Sequence, residues 1–386
     1  MRTYDFLIVG AGLTGSVLAE RIASQLGKRV LVVDRRAHLG GNVYDEDDEY
    51  GVRVHRYGPH LFHTNSDAVV RYLSQFTDWH PYEHRVLGRI ADHDGVERLA
   101  PVPFNLTSLH ALFPEAQAAR LEARLLATYG PGANVPILRL RETGDADLRA
   151  LADFVYERVF YGYTLKHWGR TPEELGPHVT ARVPVRVSHD ARYFQDRFQA
   201  LPRDGYTAMV RRMLDHPLID LETGVAFAEA RDAVRFGRLI YTGPIDAFFD
   251  YAHGPLPYRS LRFQFEHTPA EALGDDGVTQ PVAQVNHPAL DVPFTRLTEF
   301  KHATGQQVGG TTVAREFPEA HEPGTNEPYY PVPAEENRAR YARYADDGER
   351  LHTVLFAGRL ADYKYYNMDQ AVARALSMFQ RHVASF

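Results

Sequence analysis

A short apolar run, Asp5-Phe-Leu-Ile-Val-Gly10, reads as a buried parallel strand that ends in glycine. Val17, Leu18, Ile22 and Leu26 then recur at helical spacing over residues 14–26. Lys28-Arg-Val-Leu-Val-Val-Asp34 reads as the next strand, which makes the start a βαβ unit with a right-handed crossover. From about 103 to 178 the pattern turns helical, with helices expected over 106–113, 114–129 and 146–160. Between them, Tyr129-Gly-Pro-Gly-Ala-Asn-Val-Pro136 reads as a mobile loop. Residues 180–200 and 258–317 alternate as strands do, most clearly in Ser260-Leu-Arg-Phe-Gln-Phe-Glu266 and Phe294-Thr-Arg-Leu-Thr-Glu-Phe300. Leu239-Ile-Tyr-Thr-Gly-Pro-Ile245 and Val354-Leu-Phe-Ala-Gly358 read as strands returning to the first domain, and a helix is expected over 369–383. The chain carries no internal repeat and no heptad run.

Composition narrows the class. A length of 386 residues suggests two or three domains, and 44% hydrophobic with 24% charged residues suits a soluble globular chain. No apolar run reaches the ~18 residues of a membrane span, and a strand beginning near Asp5 leaves no room for a signal peptide, so a cytoplasmic location is expected. Cysteine is absent, which excludes disulfides, thiolate catalysis, zinc–thiolate sites and a cysteinyl flavin. A net charge of -7 without a basic block argues against nucleic acid, yet an anionic small substrate is allowed where a few arginines share a cleft. The 22 tyrosines suit nucleotide and sugar recognition, or simply ordinary core and surface.

The candidate chemistry begins at Gly10-Ala-Gly12-Leu-Thr-Gly15. Gly10 permits a tight turn, Gly12 lets the backbone approach a pyrophosphate, and Gly15 lets helix and strand pack closely. Asp34, at the end of the next strand, suits the adenosine ribose hydroxyls. FAD is favoured over NAD by two further features. The second strand is extended by Arg35 and the turn Gly40-Gly41-Asn42, and Gly358-Arg359 supplies a second contact set from the far end of the chain. The expected architecture is therefore α/β with α+β: a discontinuous Rossmann-like FAD-binding domain with an inserted helical domain and an antiparallel β-sheet domain. Its expected division is 1–80, 203–250 and 351–386 for FAD, 103–178 helical, and 81–102, 180–202 and 251–350 for the substrate sheet.

Tyr57-Gly-Pro-His60-Leu61-Phe-His63 places His60 directly after a turn, where it meets either the isoalloxazine or only its own loop, while His63 reads as structural. Phe160-Tyr-Gly-Tyr163-Thr164-Leu-Lys-His-Trp168-Gly-Arg170 concentrates aromatics in a polar, glycine-interrupted stretch. Arg182, Arg186 and Arg296 lie on expected strands; Arg182 and Arg296 form a diphosphate clamp if both face one cleft, and are otherwise solvated or paired. No His, Asp and Glu set has metal-ligand spacing, so no metal is expected.

Gly40-Gly-Asn42, Tyr57-Gly-Pro-His60, Gly162-Tyr163-Thr-Leu-Lys-His-Trp168, Tyr241-Thr-Gly-Pro-Ile-Asp246, Glu327-Pro-Tyr-Tyr330 and Gly358-Arg359-Leu-Ala-Asp-Tyr-Lys-Tyr365 together resemble the bacterial UDP-galactopyranose mutase family, in order over about residues 4–380. The resemblance implies interconversion of UDP-galactopyranose and UDP-galactofuranose, which supplies galactofuranose for cell-surface glycans, by a protein that is commonly a homodimer. It implies reduced FAD whose N5 attacks the anomeric carbon as UDP leaves, giving a flavin–sugar adduct. His60, Arg182 and Arg296 are the implied catalytic residues. Gly10, Gly12, Thr14, Gly15, Asp34, Arg35, Gly41, Asn42, His60, Leu61, Phe227, Arg359, Met368, Asp369, Gln370, Ala371 and Val372 correspond to FAD positions. Tyr193, Tyr330 and Tyr365 are implied at the diphosphate, Tyr163 and Thr164 at the uridine end, Trp168 beside the sugar, and His84 and Asn286 at further substrate positions. His84 stands where some relatives carry Asn, and Asn367 where some bacterial members carry Asp. A flavin oxidase of the amine-oxidase type would share the N-terminal cradle, and a silent FAD- or UDP-sugar-binding protein would share both halves.

Overall fold

Leu, Ile and Val fill the first two strands, and such residues are stable as strands only when both faces are covered. The computed structural model, which describes residues 1–175 and 183–384, buries them in that way. The chain divides into two compact units, one of Met1–Tyr82, Asp196–Arg259 and His321–Phe386, the other of Glu83–Gln195 and Ser260–Ala320.

In the first unit, five strands form a sheet in the order Ile219–Thr223, Val30–Asp34, Thr3–Val9, Arg235–Tyr241 and Val354–Phe356, every neighbouring pair parallel. Numbered along the chain this is 3-2-1-4-5, so the order reverses beside the first strand, where such sheets bind ligands at their carboxyl ends. Helix Leu13–Leu26 follows that strand, buries Val17, Leu18 and Ile22 completely, and stops at Gly27 in the left-handed conformation. It packs against the helices Tyr206–Leu214 and Met368–Met378. The strand expected over 239–245 ends at Tyr241, because Pro244 has no N–H for the ladder and instead opens a short helix, Ile245–Phe248.

In the second unit, one core joins Val86, Ile90 and Val102 from strands to Leu109, Leu121, Leu140, Leu151 and Val155 from helices. The helices Leu106–Leu112, Glu115–Tyr129 and Ala146–Val155 fall close to expectation. The last does not give way to an irregular stretch near 160. A π-turn over Tyr156–Tyr161 leads straight into helix Gly162–Trp168, which ends at Gly169 with φ 67°. Gly162 is a packing residue rather than a break, since a Cβ there would come within 2.3 Å of the Pro288 carbonyl oxygen.

The sheet of this unit runs Tyr258–Thr268, Thr311–Ala320, Arg296–Glu299, Gln284–Asn286, Val86–Ala91 and Glu97–Val102. Arg296–Glu299 is antiparallel to both of its neighbours, whereas Gln284–Asn286 lies parallel to Val86–Ala91. The alternation over 180–200 yields, among the described residues, only the strands Val185–Arg186 and Phe198–Pro202. Between them, the Asp190 carboxylate accepts the Arg192 N–H and guanidinium, and local bonds of this kind compete with a ladder. The loop after Tyr129 is tied down at its far end, where Asn134–Val135 pairs with Val185–Arg186.

Candidate functional site: a glycine cradle and an arginine–tyrosine network

The cradle is made of places where a side chain does not fit. Gly10 has φ 107° and a Cβ would lie 2.0 Å from Thr242 Oγ1; at Gly15 a Cβ would lie 2.0 Å from the Gly10 carbonyl oxygen. Gly12 and Gly41 face each other, a Cβ on Gly41 falling 2.9 Å from Gly12 Cα. Gly12 caps helix Leu13–Leu26 without a side-chain acceptor, so the first-turn N–H groups and the positive end of the helix suit an anion. These residues fit a dinucleotide pyrophosphate.

Asp34 spans the cradle. Its two carboxylate oxygens accept the backbone N–H of Ala11 and of Arg36, both at 2.9 Å, and the second lone pair of each suits a ribose hydroxyl. Asn42 is held by Arg36, whose Nη1 donates to Oδ1 at 2.9 Å and whose Nη2 donates to Glu327 at 2.6 Å. Arg35 also reaches Glu327, and Arg36 lies 4.2 Å above the Tyr57 ring. Burial alone would raise the Glu327 carboxyl, but the Arg36 and Arg35 guanidiniums hold it below the usual range. Phe227 follows Gly224 and Val225, whose N–H groups donate to the carbonyls of Arg36 and Asp34.

The far end of the chain meets this cradle. Gly358 has φ 97°, and a Cβ there would lie 3.2 Å from Thr14 Oγ1. Arg359 lies over the Tyr330 ring at 5.6 Å, and Tyr330 stacks on Tyr365 with centroids 5.2 Å apart. Helix Met368–Met378 carries Ala371 and Val372, and Gln370 Oε1 accepts the Asn367 N–H at its start. Asp369 has work of its own, accepting Thr64 Oγ1 at 2.9 Å. His60 Nδ1 lies 2.8 Å from the Gly58 carbonyl oxygen, which can only accept, so the ring carries its proton on Nδ1 and donates it there. Burial, then His55 and Arg359, pull its pKa down to about 3. Leu61 is the next residue, leading into Phe62–Thr64. His63 is bound to Asp196 at 2.7 Å.

In the second unit, Arg296 Nε donates to the Tyr163 hydroxyl at 2.6 Å and lies 3.2 Å from Glu316 Oε1. The same Glu316 oxygen accepts Thr295 Oγ1 at 2.9 Å. Tyr163 stacks on His167, and Trp168 meets His167 edge-on at 5.2 Å. Burial pushes the Tyr163 hydroxyl up, against the pull of Arg296. Thr164 is buried on the same helix. Asn286 is the direct cross-strand partner of Arg296. His84 and Tyr193 form a second group: the Tyr193 N–H donates to the His84 carbonyl at 2.7 Å, their rings meet edge-on, and Arg186 donates to the Tyr193 carbonyl. Arg182 lies outside the described residues.

Sequence reasoning named Arg296 and Tyr163 but missed Glu316, His167, Arg36 and Glu327. Glu316 did leave a signal: it shares strand parity with Thr312 and Ala314, both buried, so an acid there needs a partner. Arg36 and Glu327 lie 291 positions apart, and no local pattern joins them.

Comparison with known proteins decides the family. The family model for UDP-galactopyranose mutase matches residues 158–365. A protein of Klebsiella pneumoniae described as a probable UDP-galactopyranose mutase is 34% identical over 100% of this chain and 96% of its own length. The chain belongs to the UDP-galactopyranose mutase family. It is thus an isomerase by membership, with a Rossmann-like dinucleotide domain matched separately over residues 8–76. The dTDP-fucopyranose mutase of Escherichia coli is 32% identical over 98% of each chain. The crystal structure of a reduced UDP-galactopyranose mutase shares the fold at TM-score 0.71 and 17% identity, covering 99% of this chain and 96% of that one. A putrescine oxidase shares it at TM-score 0.56 and 13% identity, over 98% of this chain and 100% of that one. Among the described residues no helix is long and apolar enough to cross a membrane.

Proposed function

We propose that the protein is an FAD-dependent mutase that interconverts UDP-galactopyranose and UDP-galactofuranose with the flavin reduced, and so supplies galactofuranose for cell-surface glycans. The observation that carries this reading is Arg296, a cation aimed by Glu316 and Tyr163 rather than left to solvent. An oriented guanidinium suits the charge that grows on a departing diphosphate. Reduced FAD, when bound, supplies a nucleophilic N5 for the anomeric carbon.

The chain does the rest. Gly10, Gly12, Thr14, Gly15 and Gly41 receive the pyrophosphate at the helix terminus, and Asp34 takes the ribose. Arg35, Asn42, Leu61, Phe227, Arg359 and residues 368–372 line the remaining length of the cofactor. His60, neutral throughout the physiological range, presents Nε2 as an acceptor toward the isoalloxazine. Arg182 and Arg296 neutralise the leaving UDP, with Tyr193, Tyr330 and Tyr365 hydrogen-bonding the diphosphate. Tyr163 and Thr164 take the uridine end, Trp168 flanks the sugar, and His84 and Asn286 complete the substrate contacts. The residues 103–178 form a helical domain and the sheet a substrate domain in this reading, and two copies assemble in the cytoplasm as a homodimer.

Dithionite-reduced protein, kept anaerobic and given UDP-galactopyranose, should yield UDP-galactofuranose. Absence of the furanose overturns the reading. Turnover of dTDP-fucopyranose instead would move the substrate toward that of the Escherichia coli relative.

A further inference from the structure

Lys166 lies four residues after Gly162 on helix Gly162–Trp168, so the two share a face. Its Nζ donates to four backbone carbonyls: His287 at 2.5 Å, Ala289 at 2.9 Å, and Val292 and Phe294 at 3.0 Å. All four belong to the loop between Gln284–Asn286 and Arg296–Glu299. That loop closes a hairpin whose last paired residues are Asn286 and Arg296. An ammonium has three protons, so four oxygens share them around one compact charge. Gly162 seats the same helix face against the loop at Pro288. The adjoining face carries Tyr163, bonded to Arg296, and His167, 4.0 Å from Glu316. One short helix thus holds the loop with the Lys166 ammonium and the close approach that Gly162 allows, and reaches Arg296 through Tyr163 on its next face.

We infer that Lys166 is a positioning residue: by gathering the hairpin loop around its ammonium, it sets where Asn286 and Arg296 meet a nucleoside diphosphate. Without that charge, four carbonyl dipoles converge on nothing and repel, and the hairpin end that carries both residues opens. Lys301 provides an internal comparison. It is caged in the same manner by the Gly277, Val308 and Gly310 carbonyls, but it lies beyond the other end of the Arg296–Glu299 strand.

The inference rests on the proposed role of Arg296 in binding UDP, and the test separates the two. UDP affinity, KM and kcat, flavin content and Tm are measured on flavin-loaded wild type, Lys166→Met, Lys301→Met and Arg296→Ala. Lys166→Met should bind UDP on the order of 10- to 100-fold more weakly, the scale of a misplaced contact. Its KM should rise with it, while flavin content is unchanged. Lys301→Met should lose Tm and keep its UDP affinity. Wild-type UDP affinity and KM in Lys166→Met, with Arg296→Ala weakened, overturns the inference. Retained affinity in Arg296→Ala instead overturns the role of Arg296. Should Lys166→Met fail to fold, Lys166→Arg keeps the charge but splays its donors, and wild-type UDP affinity in that variant equally overturns the cage.

Discussion

The glycine cradle and the Arg296 network are both suited to nucleotide phosphates, yet they are made of different material. The cradle is backbone: a helix terminus, three glycines with no room for a Cβ, and one carboxylate that ties two loops together. Its specificity lies in where the chain can approach. The network is side chain throughout, and Arg296 points where it does because Glu316, Tyr163 and a helix behind them hold it. A backbone site tolerates almost any change that spares the glycines, whereas a side-chain site fails when any link in its support is cut.

Substitution should expose that difference, most strongly in the cradle. Gly15→Ala drives a methyl into the Gly10 carbonyl, and the expected cost is ~3 kcal/mol in denaturant unfolding, the upper end of an overpacking penalty, with flavin lost on purification. A Gly15→Ala protein that keeps its flavin would show that the cradle relaxes easily. Arg296→Ala should leave flavin content intact and lower kcat/KM by about 30-fold or more, the scale of an unpaired buried charge. Near-wild-type kinetics would remove Arg296 from the reaction. Tyr163→Phe deletes one acceptor for that guanidinium and should cost roughly 1 kcal/mol, or about fivefold in kcat/KM. An effect as large as that of Arg296→Ala would mean that Tyr163 touches substrate more heavily than it supports the arginine.

The last expected effect is on acid stability rather than on catalysis. The folded pKa of His60 lies near 3, below the ~6.5 of an unfolded histidine. The unfolded chain therefore binds the extra proton first as pH drops. The stability that His60 contributes is complete above pH ~6.5 and is lost progressively as pH falls toward 3. Melting temperature across pH 4–8 should fall on the acid side, with a shallower slope in His60→Gln. Identical slopes would place the acid sensitivity elsewhere.

The same contrast explains what could be read from the sequence. Backbone sites write themselves locally: strand, glycines, helix and Asp34 occupy one continuous stretch, and the cradle formed where that stretch put it. The first strands and the helices of residues 106–155 were legible for the same reason, since their periodicity is local. Side-chain sites need partners that the fold brings from afar. Nothing near Arg296 announces Glu316 on the next strand, and nothing near Asn42 announces Glu327. Gly162 misled because a glycine in a polar stretch reads as a break, whereas here tertiary packing demanded the smallest residue inside a helix.

The central sheet draws its strands from three separate stretches: 3–34, 219–241 and 354–356. On the ribosome, Arg235–Tyr241 emerges with one neighbour already present and waits more than a hundred residues for the other. Until then the nascent chain carries an open sheet edge that invites mispairing. Loss of the last few dozen residues would therefore do more than trim a helix: it would leave that edge unsealed in every molecule made.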